Sequence, residues 1–298
     1  MSTSPPPGET PKRDFAAVQA RLLEHLQALV GDRDPYLASG GHRLAEHYIH
    51  STLEAWGAVT SYPFEVQGRE HRNWILTLPA ASPPASSMPP LIIGAHYDAV
   101  PGTPGADDNA SGVAVLLELA RHFAAQPLPR PFWFVAFDME EYGLLGSKAY
   151  AAQLQADGQA VHLMLSLEML GYRDRTPHSQ EYPSPLLTRL YPHTGDYIAL
   201  IGSLPTVLAM QQLSRQLKRS GAACEWLPVP NRGAAIPATR LSDHAPFWDC
   251  GYRAMMITDT AFMRNPHYHQ SSDRLDTLDL DFMTAICLGL ITGLSAIA

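Results

Sequence analysis

His96 and Asp98 follow the apolar run Leu91-Ile92-Ile93, and the acidic pair Asp107-Asp108 comes after a Pro/Gly-rich loop. Glu140-Glu141 close the run 131–137, Glu168 ends the run 161–168, and His269 and Asp273 lie in a loop after the run 253–258. A carboxylate at the end of a buried strand must find a partner, because desolvating an unpaired charge is costly. Neutral imidazole and carboxylate oxygen are ligands for zinc, with manganese or cobalt as alternatives, and no thiolate is involved. Residues i and i+2 of an extended chain face the same way. Asp98 can therefore accept a hydrogen bond from the His96 ring nitrogen that faces away from a metal and so orient the ring. Adjacent Glu140 and Glu141 point in different directions, so one can hold metal while the other faces water as a general base. A carboxylate shared by two metals would set them about 3.5–4 Å apart, a clamp suited to hydrolysis. Taken singly, each feature is ordinary: a structural His–Asp pair, a charged helix surface, a buried ion pair. Their convergence at separate strand exits points to a two-metal hydrolytic site, half of it in the loop 91–112.

Positioning such a site requires strands that alternate with helices. The apolar spacing predicts helices over 14–30, 41–56, 113–123 and 205–219, a further helix opened by Gly143-Leu144-Leu145-Gly146-Ser147, and a C-terminal helix. Strands are expected at 59–66, 73–78, 91–93, 131–137, 161–168, 197–201 and 253–258. This order implies an α/β fold, a mostly parallel (mixed) twisted sheet with helices on both faces. Ligands in such sheets bind outside the carboxyl ends of the strands. Residues 1–12 read as a disordered tail and 13–298 as a single domain; the Pro/Ser-rich stretch 80–90 reads as a surface loop. The irregular stretches 173–196 and 227–248 read as a substrate rim. His42, His47 and His50 read as a solvated helix face.

With 298 residues, 46% of them hydrophobic and 17% charged, the chain is long enough to bury a large core. Its net charge of -8 argues against nucleic acid or an anionic membrane as partner. Cys224, Cys250 and Cys287 are widely spaced, and the polar, Pro-rich start has no apolar signal region. Both suggest a reducing, cytoplasmic location. The apolar stretch 282–298 is short for a membrane span and reads as a buried helix.

The sequence resembles the di-zinc aminopeptidases of the M28 peptidase family. The resemblance rests on five motifs in family order: HYD (96–98), GADDNASG (105–112), EEYGLLGS (140–147), LEM (167–169) and HQSSD (269–273). It implies a zinc exopeptidase fold of the phosphorylase/hydrolase-like kind, two Zn²⁺ ions, and a peptide substrate with a free N-terminus. It implies Asp107 as the bridging ligand, Glu141 and His269 completing one metal, and His96 and Glu168 the other. It also implies Glu140 as the base acting on a water activated between the metals, and Asp98 as the group that orients His96. A cis peptide would follow the bridging residue, at Asp107–Asp108; Asp108 then stands beside the ligands in a supporting place. Glu168 departs from the Asp of many relatives. His269 is preferred to His267 because its spacing to Asp273 matches. Asp243 and His244, in the SDH triplet 242–244, are candidates for supporting or substrate-rim roles. Glutaminyl-peptide cyclotransferases share the fold with a single zinc, and a non-catalytic scaffold is a further alternative. The M20 metallohydrolases also carry H-x-D before Val-Pro, but their bridging Asp comes much later than the 11 positions separating His96 from Asp107.

Overall fold

The computed structural model describes residues 10–82 and 88–298. The expected tail over 1–9 and part of the 80–90 loop lie outside them, and residues 10–12 already belong to the first helix. Helices α1 (Thr10–Leu29) and α2 (Ser39–Glu54) lead into the hairpin β1 (Val59–Val66) and β2 (Arg69–Leu78). Then follow β3 (Leu91–His96), α3 (Gly112–Ala125), β4 (Phe132–Phe137), α4 (Leu145–Ala156) and β5 (Leu163–Glu168). The remainder is α5 (Pro185–Leu190), β6 (Ile198–Ser203), α6 (Val207–Arg219), β7 (Cys224–Val229), α7 (His244–Asp249), β8 (Ala254–Thr258) and α8 (Leu280–Ile297).

All eight strands form one sheet in the order β1-β2-β4-β3-β5-β8-β6-β7. β4, β3, β5 and β8 run parallel to one another, while β2 is antiparallel to β4 and β6 to β8. Every residue of β3, β5 and β8 is buried, as the uninterrupted apolar runs demand of strands covered on both faces. Alternate residues serve opposite faces. Leu91, Ile93, Leu163 and Leu165 pack with α1, α2, α3, α6 and α8, whereas Ile92, Met164, Val135 and Phe137 pack with α4 and α7. α8, apolar enough by length and composition to cross a membrane, is mostly buried against this sheet.

α3 carries the chain from β3 to β4 on one face, and α4 carries it back across β3 to β5 on the other. The carboxyl ends of β3, β4 and β5 therefore splay around a switch point, where a crevice forms.

β7 falls in a stretch not expected to be a strand. It contains Pro228, which lacks a ladder donor, and it is tolerated because β7 is an edge strand. The segment 173–196 holds α5 and a bridge between Asp174 and Gly195. His42 departs from the expected solvated face: it is buried, with Nε2 2.8 Å from Asp138 Oδ1.

Candidate metal centre

His96, the last residue of β3, points Nε2 into the crevice, 3.3 Å from Asp108 Oδ1 and 3.5 Å from Glu168 Oε1 at the end of β5. His269 Nε2 comes from the loop after β8 and lies 3.2 Å from Asp108 Oδ2 and 3.3 Å from Glu141 Oε2. The two oxygens of one carboxylate, Asp108, thus face two different histidines, each with a glutamate beyond it. Glu140 joins the group from the other side: its carboxylate, His96 and Glu168 offer ligand atoms within 4.8 Å of one another, as do those of His96, Asp108 and Glu141.

The shared position belongs to Asp108 and not, as expected, to Asp107, and the cis peptide is Asp108–Asn109. The turn explains the shift. Asp273 accepts the backbone N–H groups of both Asp107 and Asp108, at 2.9 and 3.1 Å, which fixes the loop from outside. Neighbouring side chains then diverge. Asp107 turns back into the protein, where it accepts Gly171 N–H and the Asn265 amide, both at 2.8 Å, and lies against Asp259. Asn109 locks the other side: its amide donates to Leu167 O at 2.8 Å and its Oδ1 accepts Met169 N–H at 3.0 Å. Gly105 enters this turn at φ 58°, and a Cβ there would stand 2.4 Å from Asp108 O, so only glycine fits.

Asp98 does more than orient a ring. Its two oxygens accept the backbone N–H groups of Glu140 and Glu141, at 3.0 and 3.1 Å. His96 Nδ1 lies 3.5 Å from the same carboxylate and 3.2 Å from the Asp98 carbonyl, which leaves Nε2 for the crevice. Met139 and Met169, beside the strand-end glutamates, and His269 itself adopt left-handed backbone with φ of 61°, 49° and 56°. Each such residue costs about 1–3 kcal/mol and is held by its surroundings, a cost concentrated at functional sites. Ser242 donates to Glu168 Oε2 at 2.6 Å and contacts Ser166 Oγ at 2.8 Å, so the first residue of the SDH triplet holds a glutamate in place. Asp243 is fully buried near the same group with neither oxygen hydrogen-bonded. His244 turns away to Thr239 O. His267 contacts Ser272 and stands outside the cluster.

The electrostatics call for positive charge. Burial alone would lower the pKa of His96, but the charges of Glu140 and Glu168 and contacts with Asp108 and Asp98 raise it well above the usual range. Burial would raise Asp108, yet His269 and His96 hold it below the usual carboxylate range. Burial, reinforced by Glu168, Glu141 and Asp243, drives Glu140 well upward against the opposing pull of His96. A buried nest of carboxylates with two histidines is stable only if cations or protons offset its charge. The residues fit divalent metal. His96 Nε2 and Glu141 Oε1 are buried without a hydrogen-bond partner. Ligand-to-ligand separations of 3.2–3.5 Å match the roughly 3.3 Å edge of a tetrahedron with about 2.0–2.1 Å bonds.

Arg33, Ser242, Asn109 and Asp259 were not singled out from sequence. Only Ser242 and Asn109 carried a signal, lying inside motifs whose neighbours had been read. Arg33, 2% exposed, donates to the carbonyls of Leu29, Gly31, Tyr97, Pro104 and Gly105.

Residues 73–291 match the sequence profile of peptidase family M28. The uncharacterized protein YfbL of Escherichia coli is 35% identical over 95% of this chain and 88% of its own length. A probable leucine aminopeptidase of Arthroderma benhamiae is 29% identical over 72% of this chain, which spans 56% of that relative. Among solved structures, LapA of Legionella superposes with TM-score 0.73 at 17% identity, covering 99% of this chain and 77% of its own. Glutaminyl cyclase of Porphyromonas gingivalis superposes at 0.67 and 20% identity, covering 95% and 98%. The last two likenesses concern the fold, a mixed eight-stranded α/β sheet. The profile match over most of the chain and the kinship with YfbL establish that this chain belongs to peptidase family M28.

Proposed function

We propose that the protein is a zinc aminopeptidase that removes the N-terminal residue of peptides, with Glu140 as general base. The observation that carries this reading is the Asp108 carboxylate, whose two oxygens address His96 and His269 separately. His96, Asp108 and Glu168 would hold one ion, and His269, Asp108 and Glu141 a second. Bound there, such ions acidify a water and polarise the scissile carbonyl. Glu140, held at its backbone by Asp98 and raised in pKa by burial, takes the proton of the attacking water and returns it to the departing amine. Its neighbours Glu168 and Glu141 contact histidines and are the ligands of the pair. The apolar pocket beside Glu168, walled by Ile201, Met256, Phe262 and Tyr268, suits an apolar first side chain.

The test combines metal analysis with turnover of leucine anilide, its N-acetyl derivative, glutamate anilide and an N-terminal Gln peptide. Two zinc ions per chain, cleavage of the free-amine leucine substrate and none of the acetylated one support the reading. Ring closure of Gln without peptide cleavage would replace it with a cyclotransferase. Glu140→Gln should retain metal and lose at least about two orders of magnitude in kcat; unchanged turnover removes Glu140 from the role.

A further inference from the structure

The sheet order places three features in a row along one side of the sheet, where the parallel strands β4, β3, β5 and β8 end and the antiparallel β2 and β6 begin. The apolar pocket lies over β5, β8 and β6, the metal centre over β3, β4 and β5, and beyond it a cavity of about 440 Å³ lies over β4 and β2. If the first side chain of a substrate fills the apolar pocket, the departing fragment runs from the centre across the end of β4 toward that cavity.

We propose that this cavity receives the free C-terminal carboxylate of a short peptide, held by Arg43 and Arg69, so that the enzyme prefers tri- and tetrapeptides. The proposal rests on the aminopeptidase reading above. The lining holds three arginines and three acids, so what favours an anion is which of them are already paired. Of the acids lining the cavity, Glu70 is paired with Arg72, and Asp138 is engaged by His42 at 2.8 Å and His71 at 3.0 Å. Arg43 makes no hydrogen bond or ion pair with any described residue. The Arg69 guanidinium lies 5.0 Å from the Tyr36 ring centre and has no carboxylate partner among them. Arg43 and Arg69 thus remain without a carboxylate partner among the described residues, with Glu46 the one acid of the lining not engaged by another side chain there. α2 opens at the same place, with Ser39 on the wall, and its N-cap Ala38 supplies no side-chain acceptor to the first-turn N–H groups.

The distances agree. Neighbouring strands are about 4.8 Å apart, so β3 to β2 spans roughly 10 Å. Extended chain covers about 3.3–3.6 Å per residue, which gives two or three residues beyond the cleaved bond. Tyr142, immediately after Glu141, stands between the two sites with its hydroxyl donating to Asp34 at 2.5 Å and its ring edge-on to Tyr36.

The test compares Leu-Gly-Gly as free acid and as C-terminal amide, with leucine anilide as a substrate lacking the carboxylate, on the metal-loaded enzyme and on Arg43→Ala/Arg69→Ala. The wild-type enzyme should prefer acid to amide by about tenfold or more in kcat/KM, mostly through KM. The double variant should lose that preference while cleaving amide and anilide at wild-type rates. Equal wild-type rates on acid and amide overturn the proposal, a comparison that needs no variant to fold. So does a loss in the double variant shared equally by the anilide. Absence of anilide cleavage by wild type would instead overturn the aminopeptidase reading.

Discussion

At the scale of single residues, the adjacent acids Asp107 and Asp108 separate two kinds of work. Asp108 faces the histidines, while Asp107 satisfies Gly171 N–H and the Asn265 amide within the protein. Asp108→Ala should abolish stoichiometric zinc binding and activity, measured by metal analysis after dialysis. Asp107→Ala should leave two buried donors unsatisfied and lower unfolding free energy by about 2–6 kcal/mol in urea titrations, at about 1–3 kcal/mol per orphaned group. His244 makes a pH prediction. Burial holds its pKa at about 4 against an ordinary 6.5, so the folded imidazole stays neutral while the unfolded one charges. The unfolded chain binds the extra proton between those values, so stability is full above pH 6.5 and falls as pH drops toward 4. The loss reaches about 3 kcal/mol, at roughly 1.4 kcal/mol per unit. In chelated protein, His244→Gln should flatten the decline in unfolding free energy between pH 7 and 4.5 relative to wild type.

At the scale of elements, the strands that carry the site were readable because each is an apolar run closed by a polar residue. β3 ends in His96 and β5 in Glu168, and burial on both faces leaves no reason for the pattern to be broken. β7 was not readable, since an edge strand needs neither uniform burial nor a full set of donors. Nor was the brace between α1 and the 97–105 loop, where Arg33 alone caps carbonyls from both. Arg33→Met should remove donors from five carbonyls, three of them in buried bonds, and cost at least about 3 kcal/mol in a denaturant titration. Arg33→Lys should rescue it only partly, because a single ammonium cannot reproduce the planar fork.

At the scale of the whole molecule, the candidate metal centre draws on residues at or after the ends of β3, β4, β5 and β8, so an ion held there would couple metal binding to stability. A ligand present at about a thousand times its Kd stabilises the folded state by about 4 kcal/mol. For a chain of 298 residues that corresponds to a drop in Tm of roughly 6 °C on chelation, restored by added zinc and followed by calorimetry. An unchanged Tm on verified metal removal would separate the fold from its metal.

The identity and order of the chemical groups were legible in the chain itself: which histidines, which glutamates, and that they stand at strand exits. Local periodicity and the cost of burying an unpaired charge mark the strand-end groups, and the motif order shared with the M28 family singles out His269 over His267. Which of two adjacent aspartates faces the centre was decided only in three dimensions. That choice depends on Asp273, Asn265 and Gly171, each more than 60 positions away and brought to the loop by the sheet. The same holds for the row from apolar pocket to arginine-lined cavity. Sequence distance says nothing about strand order, and the crossovers on opposite faces put β2 and β8 on either side of the residues that would do the chemistry.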